Sequence, residues 1–403
     1  MKRPHFLLPA LALFTLACNL ATPVQQQISF STGESPSLVQ AETGTLAKGC
    51  GDGVCDGPEN AQRCPQDCAA DTSAPGSETS TPNTNASTDS ANENDASPQG
   101  SDQSAVLYLG IMVHLEGWND DEDQARFEQH ARLVRQYADL FEKYGAKLTL
   151  ESSDDFARGM QLWDDNVLLE MEQRGHGIGV HADIGGHPGY DCSRFTRDLQ
   201  AEKELLESFG VTVRHTSGVA SHCDWVTAAI ESGFSFTSGT VAYGVTSMPV
   251  ENRPPEYADC ESAADCHGVF PLELEDRLHP WRADNGTDWV TPDPDGRLVI
   301  LPASGGLTCQ ADNTLEDSSC KDFTEDDIEY FFQQLDQAIA LADPELVNIL
   351  YVSWSLGTPL DERMLETWFQ RLEPYIASGQ VEWKTLPEMY DLYVAWEMKS
   401  VRQ

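Results

Sequence analysis

The chain has 403 residues and a formal net charge of −41, from 66 acidic and 25 basic side chains. So acidic a chain would repel nucleic acid and anionic polymers, which excludes them as partners; it suits a neutral or cationic substrate, or simply a well-solvated exterior. The length is sufficient for one large domain with accessory segments.

Residues 1–18 have the pattern of an export signal. Lys2 and Arg3 precede an apolar run over 6–17 that is too short to span a bilayer. The run ends in Thr15-Leu16-Ala17-Cys18, which resembles the lipid-attachment box of bacterial lipoproteins, although that box prefers leucine at the position of Thr15. We expect export with a lipid anchor at Cys18, on the outer membrane or cell surface. Plain secretion, with cleavage slightly further on, is the alternative.

Three segments separate this signal from the globular region. Residues 19–48 are polar and predict a tether. Residues 49–68 carry four cysteines and begin with a Cys-Gly-Asp-Gly-Val-Cys pattern, which resembles small cysteine-rich modules of bacterial surface proteins and implies two disulfides in place of a core. The acidic residues of this module indicate a Ca²⁺ site or only acidic turns. Residues 69–104 have almost no large apolar side chain and predict a disordered linker.

From about residue 105 to the end at 403, strand and helix patterns alternate. Strands are predicted at 106–113, 147–150, 177–181, 212–214, 234–238, 269–274, 298–301, 348–353 and 381–384, and helices at 122–144, 165–174, 193–209, 225–232, 325–342 and 362–376. Seven or eight such repeats favour a parallel α/β barrel over an open sheet.

The later cysteines predict disulfides in an oxidising compartment. Segments 243–268 and 303–322 have the character of loop insertions. We favour the pairs Cys260–Cys266, Cys309–Cys320 and Cys192–Cys223, although spacing alone does not fix the connectivity.

Polar side chains concentrate where the first three predicted strands end. Alternate residues of a barrel strand face the lumen, and this parity directs His114, Glu116, Glu151, His181 and Asp183 to one rim. Barrel enzymes keep their active sites at that rim. A lone histidine there would be structural, but five ionisable groups together are costly without a cation or mutual pairing. The sequence therefore predicts a divalent-metal site.

Residues 140–149, 174–179 and 229–238 resemble segments of a polysaccharide deacetylase (NodB-homology) domain, and the resemblance covers about 105–395. It implies a distorted (β/α)7–8 barrel of the glycoside hydrolase and deacetylase type. It also implies a divalent metal, usually Zn²⁺, held by one carboxylate and two histidines. The activity implied is removal of acetyl groups from N- or O-acetylated sugars, so a carbohydrate is the expected ligand.

The resemblance assigns Glu116, His181 and His187 as metal ligands, with Asp183 as the substitute for His187. It also retains Arg214, from a third motif, as a catalytic residue.

Two catalytic positions of the family are missing. Leu115 stands where the base belongs, and residues 351–355 lack the terminal histidine. We therefore expect Glu151 or Asp183 to deprotonate water. The remaining site histidines, His114, His215 and His222, are the candidates for protonating the leaving group. Four tryptophans could form a sugar-stacking rim or belong to the core: Trp118, Trp281, Trp289 and Trp354.

Two functions fit these patterns. The first is an exported, metal-dependent, deacetylase-like carbohydrate hydrolase. The second is a lipid-anchored surface protein on a degenerate barrel, which binds carbohydrate and metal without turnover. The missing base and terminal histidine favour the second. The dense polar rim favours the first, because loss of function would erode such groups, and we prefer the hydrolase.

Overall fold

The computed structural model describes residues 105–116, 119–187, 189–263, 266–302, 305–308, 322–357 and 360–400. The predicted signal, tether, cysteine-rich module and linker lie outside these residues, as do Trp118 and the predicted Cys309–Cys320 pair.

Within the described residues one sheet of nine strands organises the fold, in the order β6-β7-β5-β4-β3-β2-β1-β8, with β9 paired to the first part of β1. The strands are β1 (Leu107–Leu115), β2 (Leu148–Ser152), β3 (Gly177–His181), β4 (His215–Ser217), β5 (Phe236–Thr237), β6 (Trp281–Ala283), β7 (Leu298–Ile300), β8 (Asn348–Ser355) and β9 (Val381–Trp383). All neighbouring strands are parallel except β6 and β7.

The chain after β7 closes this sheet into a barrel. Gly306 pairs in parallel with Ser353 of β8. The Ser353 N–H donates to the carbonyl of Gly305 at 3.1 Å, and the Leu307 N–H donates to the carbonyl of Ser353 at 2.6 Å. β1 occupies the other side of β8, so this pairing joins β8 to the chain that follows β7. The Ile349 N–H of β8 also donates to the carbonyl of Leu278, just before β6, at 2.8 Å. These contacts close the sheet, as the predicted distorted barrel requires.

Eight α-helices occur in the described residues, and all but the last cover the outside of the barrel. They are α1 (Gln124–Lys143), α2 (Asp154–Leu162), α3 (Val167–Gln173), α4 (Phe195–Glu207), α5 (Trp225–Glu231), α6 (Glu325–Leu341), α7 (Glu362–Ser378) and α8 (Leu386–Ser400). Their ends follow local chemistry: a Thr324–Asp327 capping box starts α6, and Gly379 at φ 78° ends α7. In the part of the chain that the structure describes, no helix combines the length and apolar character needed to cross a bilayer.

The predicted strand parity is confirmed. Leu109, Ile111 and Val113 of β1 pack in the core between sheet and helices, whereas Met112 packs inside the barrel with Phe236 and Tyr351. The barrel therefore has two apolar layers, one outside the sheet and one in the lumen.

Helix α8 fills the end of the lumen at which the strands begin. Its Leu386, Met389 and Tyr393 belong to the lumen cluster, and the Leu386 N–H donates to Oγ1 of Thr149 at 2.9 Å. A Cβ on Gly110 would lie 2.7 Å from Cε of Met389, so this glycine makes room for the helix. Since α8 blocks the amino ends of the strands, the lumen can open only at their carboxyl ends.

Several element predictions need correction. Strand β4 begins at His215, three residues later than predicted. The buried Val211 and Val213 alternate as strand residues do, but they lie in the segment before the strand. The predicted strand 269–274 is absent apart from an antiparallel bridge between Val269 and Val241. Three elements were not predicted: α2, β6 and α8.

Two of the predicted disulfides, Cys192–Cys223 and Cys260–Cys266, are confirmed. The three described tryptophans of the suggested sugar-stacking rim are 8% exposed or less and belong to the core: Trp281, Trp289 and Trp354.

Candidate metal centre

Three side chains bring ligand atoms to one point at the carboxyl ends of β1, β2 and β3. His114, Glu151 and His181 each offer one atom, and these atoms lie within 4.8 Å of one another. The strand register explains the meeting, because His114 and Glu151 are direct partners across β1 and β2.

Two atoms of this group are buried without a hydrogen bond. Nε2 of His114 and Oε2 of Glu151 lie 3.6 Å apart, and neither has a hydrogen-bond partner among the described residues. Burying an unpaired carboxylate oxygen is costly. Two histidines and one carboxylate are a ligand set that Zn²⁺ uses in catalytic sites, so the group fits a divalent cation.

Side chains from β4 and from the end of β5 hold Glu151 in its ionised form. Oε1 lies 3.1 Å from Nε2 of His215 on β4 and accepts a hydrogen bond from the hydroxyl of Ser238 at 2.5 Å. Burial alone would raise the pKa of Glu151, but His215 and the neighbouring His114 outweigh it and hold the pKa at about 2. So acidic and fully buried a group accepts protons poorly, and the structure favours Glu151 as a ligand over its predicted role as base.

His181 joins the group through a chain of polar contacts. Its Nδ1 lies 2.8 Å from Oγ of Ser217, and its Nε2 lies 2.9 Å from Oε2 of Glu116. Burial would lower the pKa of His181, but Glu116 raises it above the ordinary value. Burial likewise opposes ionisation of Glu116, yet the hydrogen bond and charge of His181 hold its pKa at about 2.

The ring of His114 stacks on that of His181, with centroids 4.0 Å apart. Burial, and then the charge of His181, lower the pKa of His114 to about 4. His114 is therefore neutral near pH 7, which is the form that binds a metal.

The Ser217–His181–Glu116 chain has the order of a serine hydrolase triad, but its exposure is reversed. Ser217 is 1% exposed, whereas the Glu116 side chain is 32% exposed. A nucleophilic serine must reach the substrate. Ser217 therefore orients His181. Of the three side chains in this series, the one that solvent can reach is the carboxylate of Glu116.

Asp183 stands at the rim, two residues beyond His181. Its backbone is left-handed, at φ 44°. The residues on either side hold it in place, because the N–H groups of Ala182 and Ile184 donate to the carbonyls of Ser217 and Gly218. Asp183 is exposed at the rim, and partial burial of its carboxylate, and then the charge of Glu116, raise its pKa. Strained backbone is concentrated at functional sites, and a raised pKa makes this carboxylate a better proton acceptor than Glu151.

Two predicted site residues lie elsewhere. His187 is exposed, its ring contacts Tyr190 at 5.9 Å, and it is not part of the ligand group. Arg214 precedes β4 and pairs with Asp391 at 2.7 Å, its guanidinium lying over Tyr390 of α8. The geometry gives no support to the predicted metal role of His187, and it gives Arg214 a structural role at the closed end of the barrel.

Sequence reasoning missed the residues that orient the ligands. Ser217 and Ser238 were not singled out, and His215 was considered only as an acid. His215 is fully buried against Glu151, without the exposure that an acid for the leaving group needs. The signal that could have found it is Gly179, since a glycine inside a strand marks a close approach.

No protein-family profile matches the chain, and no curated protein matches it either. Solved structures do. PuuE allantoinase has a TM-score of 0.47 at 14% identity, covering 73% of this chain and 92% of its own. Two proteins named as polysaccharide deacetylases, from Mycobacterium smegmatis and Pseudomonas aeruginosa PAO1, have TM-scores of 0.47 and 0.45, both at 14% identity; the alignments cover 75% and 72% of this chain and 95% and 91% of theirs. All three TM-scores are below 0.5, so the fold assignment rests on the strand register and barrel closure rather than on these likenesses.

Proposed function

We propose that this protein is a divalent-metal-dependent hydrolase that removes acetyl groups from N- or O-acetylated sugars. One observation carries the proposal: Nε2 of His114 and Oε2 of Glu151 are buried, face each other at 3.6 Å and have no hydrogen-bond partner among the described residues. With His181 they form a ligand set suited to Zn²⁺. The choice of an acetylated sugar rests on the deacetylase-like sequence segments.

A bound divalent cation would polarise the acetyl carbonyl and lower the pKa of a water molecule. The chain itself supplies orientation and proton transfer. His215 and Ser238 fix Glu151, and Ser217 fixes the ring of His181, as partners of metal ligands commonly do. Asp183, at the rim and with a raised pKa, takes the proton from the attacking water.

The amino-terminal sequence supports the proposal that this hydrolysis takes place outside the cytoplasm. The basic start, the short apolar run and Cys18 form an export signal with a lipid-attachment box. The Cys192–Cys223 and Cys260–Cys266 disulfides are consistent with an oxidising compartment.

The test is acetate release from N-acetylated oligosaccharides by the full mature chain, with metal content measured on the same samples. We expect about one Zn²⁺ per chain and chelator-sensitive turnover. Glu151→Gln and His181→Ala are expected to lose the metal and at least 100-fold in rate. Glu373→Gln, an exposed carboxylate on α7, is the matched control and should change neither quantity.

The same samples decide between the two functions. A chain that binds metal and oligosaccharide but releases no acetate would be the binding protein that the missing family base and terminal histidine favour. A chain that holds no metal, and whose rate is unchanged in Glu151→Gln and His181→Ala, would refute the metal-dependent mechanism.

A further inference from the structure

His267, on the disulfide-bearing insertion that follows β5, lies at the mouth of the metal centre. The function proposed above does not use it. The sequence predicts the insertion as a loop that carries the Cys260–Cys266 disulfide, and it assigns no catalytic or binding role to His267.

The position of His267 is built by the fold. The chain on its carboxyl side returns to the barrel: the Ala242 N–H donates to the carbonyl of Gly268 at 2.8 Å, and Val269 forms an antiparallel bridge with Val241. On its amino side His267 directly follows Cys266, which is bonded to the buried Cys260. A backbone pair and a disulfide therefore anchor this residue from both sides.

The imidazole of His267 is exposed and lies near the loop that follows β3. Its ring stacks on Tyr243 with centroids 5.6 Å apart, and a Cβ on Gly186, in the loop that follows β3, would lie 3.6 Å from the Tyr243 hydroxyl. The charge of His267 also lowers the pKa of both His114 and Asp183. The insertion thus places an accessible imidazole beside the loop that follows β3, close enough to His114 and Asp183 for its charge to act on both.

We propose that His267 is the general acid that protonates the leaving group. Residues 351–355, at the end of β8, contain no histidine that could fill this role. This inference rests on the proposed hydrolase function.

The three acid candidates expected from the sequence fit less well. His215 is fully buried, and His114 is neutral and belongs to the ligand group. Nε2 of the exposed His222 lies 3.8 Å from Sγ of Cys223, beside the Cys192–Cys223 disulfide.

The proton transfers of this reaction involve water, Asp183 and His267. The water oxygen bonds to the acetyl carbon and gives a proton to Asp183. The C–N bond then breaks, its electron pair stays on nitrogen, and His267 gives that nitrogen a proton. Acetic acid and the free amine leave, and the acetic acid gives its proton to the amine or to solvent. A proton then passes from Asp183 through solvent back to His267. An O-acetyl substrate follows the same course, with the alkoxide oxygen protonated in place of nitrogen.

The test compares leaving groups in the zinc-loaded full chain. An amide needs an acid because an amine anion is a very poor leaving group, whereas p-nitrophenyl acetate releases a stable phenolate. General acids contribute roughly 10²- to 10⁴-fold. We expect His267→Gln to lose at least about 100-fold in kcat on N-acetylated oligosaccharides. The chelator-sensitive hydrolysis of p-nitrophenyl acetate should change by less than a few fold.

Three further measurements distinguish an acid from a structural residue. Metal content should be unchanged in His267→Gln, because His267 is not a ligand. Free imidazole should restore amide hydrolysis in His267→Ala. Glu256→Gln, an exposed carboxylate on the same insertion, should behave as wild type.

Equal losses on the two substrates, or no loss on either, would overturn the proposal while leaving the hydrolase function intact. A wild-type chain inactive on both substrates would instead refute the hydrolase function, and the role of His267 with it.

Discussion

The imidazole of His215 occupies the place that a side chain on Gly179 would fill. A Cβ atom on Gly179 would lie 2.2 Å from Nε2 of His215. Gly179 pairs with Glu151 across β2 and β3, so His215 on β4 reaches over β3 to contact Glu151. The glycine in the middle strand is what allows residues from two non-adjacent strands to form a hydrogen bond.

Gly179→Ala is therefore expected to damage the metal centre without altering any ligand. The methyl group would push His215 away from Glu151 and leave that carboxylate with fewer hydrogen bonds. Extra volume in a packed interior costs about 1–3 kcal/mol. We also expect zinc affinity to fall by about 10- to 100-fold, as for the loss of other partners of metal ligands. Unfolding in urea and zinc titration measure the two effects.

Gly189→Ala is the matched control, because the nearest atom to its Cβ would be Nδ1 of the exposed His187 at 3.9 Å. Wild-type zinc affinity in Gly179→Ala would show that the His215–Glu151 contact does not orient the ligand.

The rim position of the central group could be found from sequence, but its choice of ligands and its supports could not, because the resemblance assigned Glu116 and His187 as ligands beside His181. His114, Glu151 and His181 follow from two rules that need no tertiary detail: side chains alternate along a strand, and parallel strands end at the same edge. The orienting contact of Ser217 depends on which residue begins β4. The apolar alternation around Val211 and Val213 placed that strand three residues early.

Other parts of the fold lacked a periodic signal altogether. Helix α8 is apolar on many sides because it lies against the lumen, so it does not show the single apolar stripe of a surface helix. His267 belongs to an insertion whose Cys260–Cys266 disulfide was predicted from sequence. The backbone pair of Val269 with Val241, which brings the insertion back to the barrel, has no local sequence signal.

The ligand set can be decided by paired histidine variants. His114→Gln should lower zinc affinity at least 100-fold, because it removes one of the three converging ligand atoms. His187→Gln should retain zinc, because His187 is exposed and outside that group. Isothermal titration of each metal-free variant with Zn²⁺ gives both values. The reverse result would restore the ligand set expected from the sequence resemblance.

Arg214→Gln is expected to affect stability rather than turnover. Arg214 contacts Asp391 and the Pro387 carbonyl of α8, at the end of the barrel opposite the metal centre. Because the ion pair is largely exposed, its loss should cost about 1 kcal/mol or less. Zinc content and acetate release should match wild type. A tenfold fall in kcat with unchanged unfolding would instead return Arg214 to the catalytic role that the sequence resemblance implies.

A buried histidine outside the site gives the fold a pH dependence of its own. Nδ1 of His176 accepts a hydrogen bond from the Leu148 N–H at 2.9 Å, so Nε2 carries the proton and lies 3.1 Å from Glu142. Burial, and then the charge of Lys147, lower the pKa of His176 from 6.5 to about 4. Protonation of Nδ1 would break the bond that starts β2.

The sign of the effect follows from where the proton binds. Below pH 6.5 the unfolded chain protonates His176 while the folded chain does not, so its contribution to stability is complete above pH 6.5 and is lost as the pH falls towards 4. At about 1.4 kcal/mol per pKa unit the loss reaches up to about 3 kcal/mol.

His176→Asn keeps an acceptor near Nδ1 but cannot titrate, and all other groups remain common to both proteins. The difference in unfolding free energy between wild type and His176→Asn should therefore shrink between pH 7 and pH 4, measured by urea unfolding at several pH values. A difference that stays constant over this range would mean that His176 titrates normally in the folded chain.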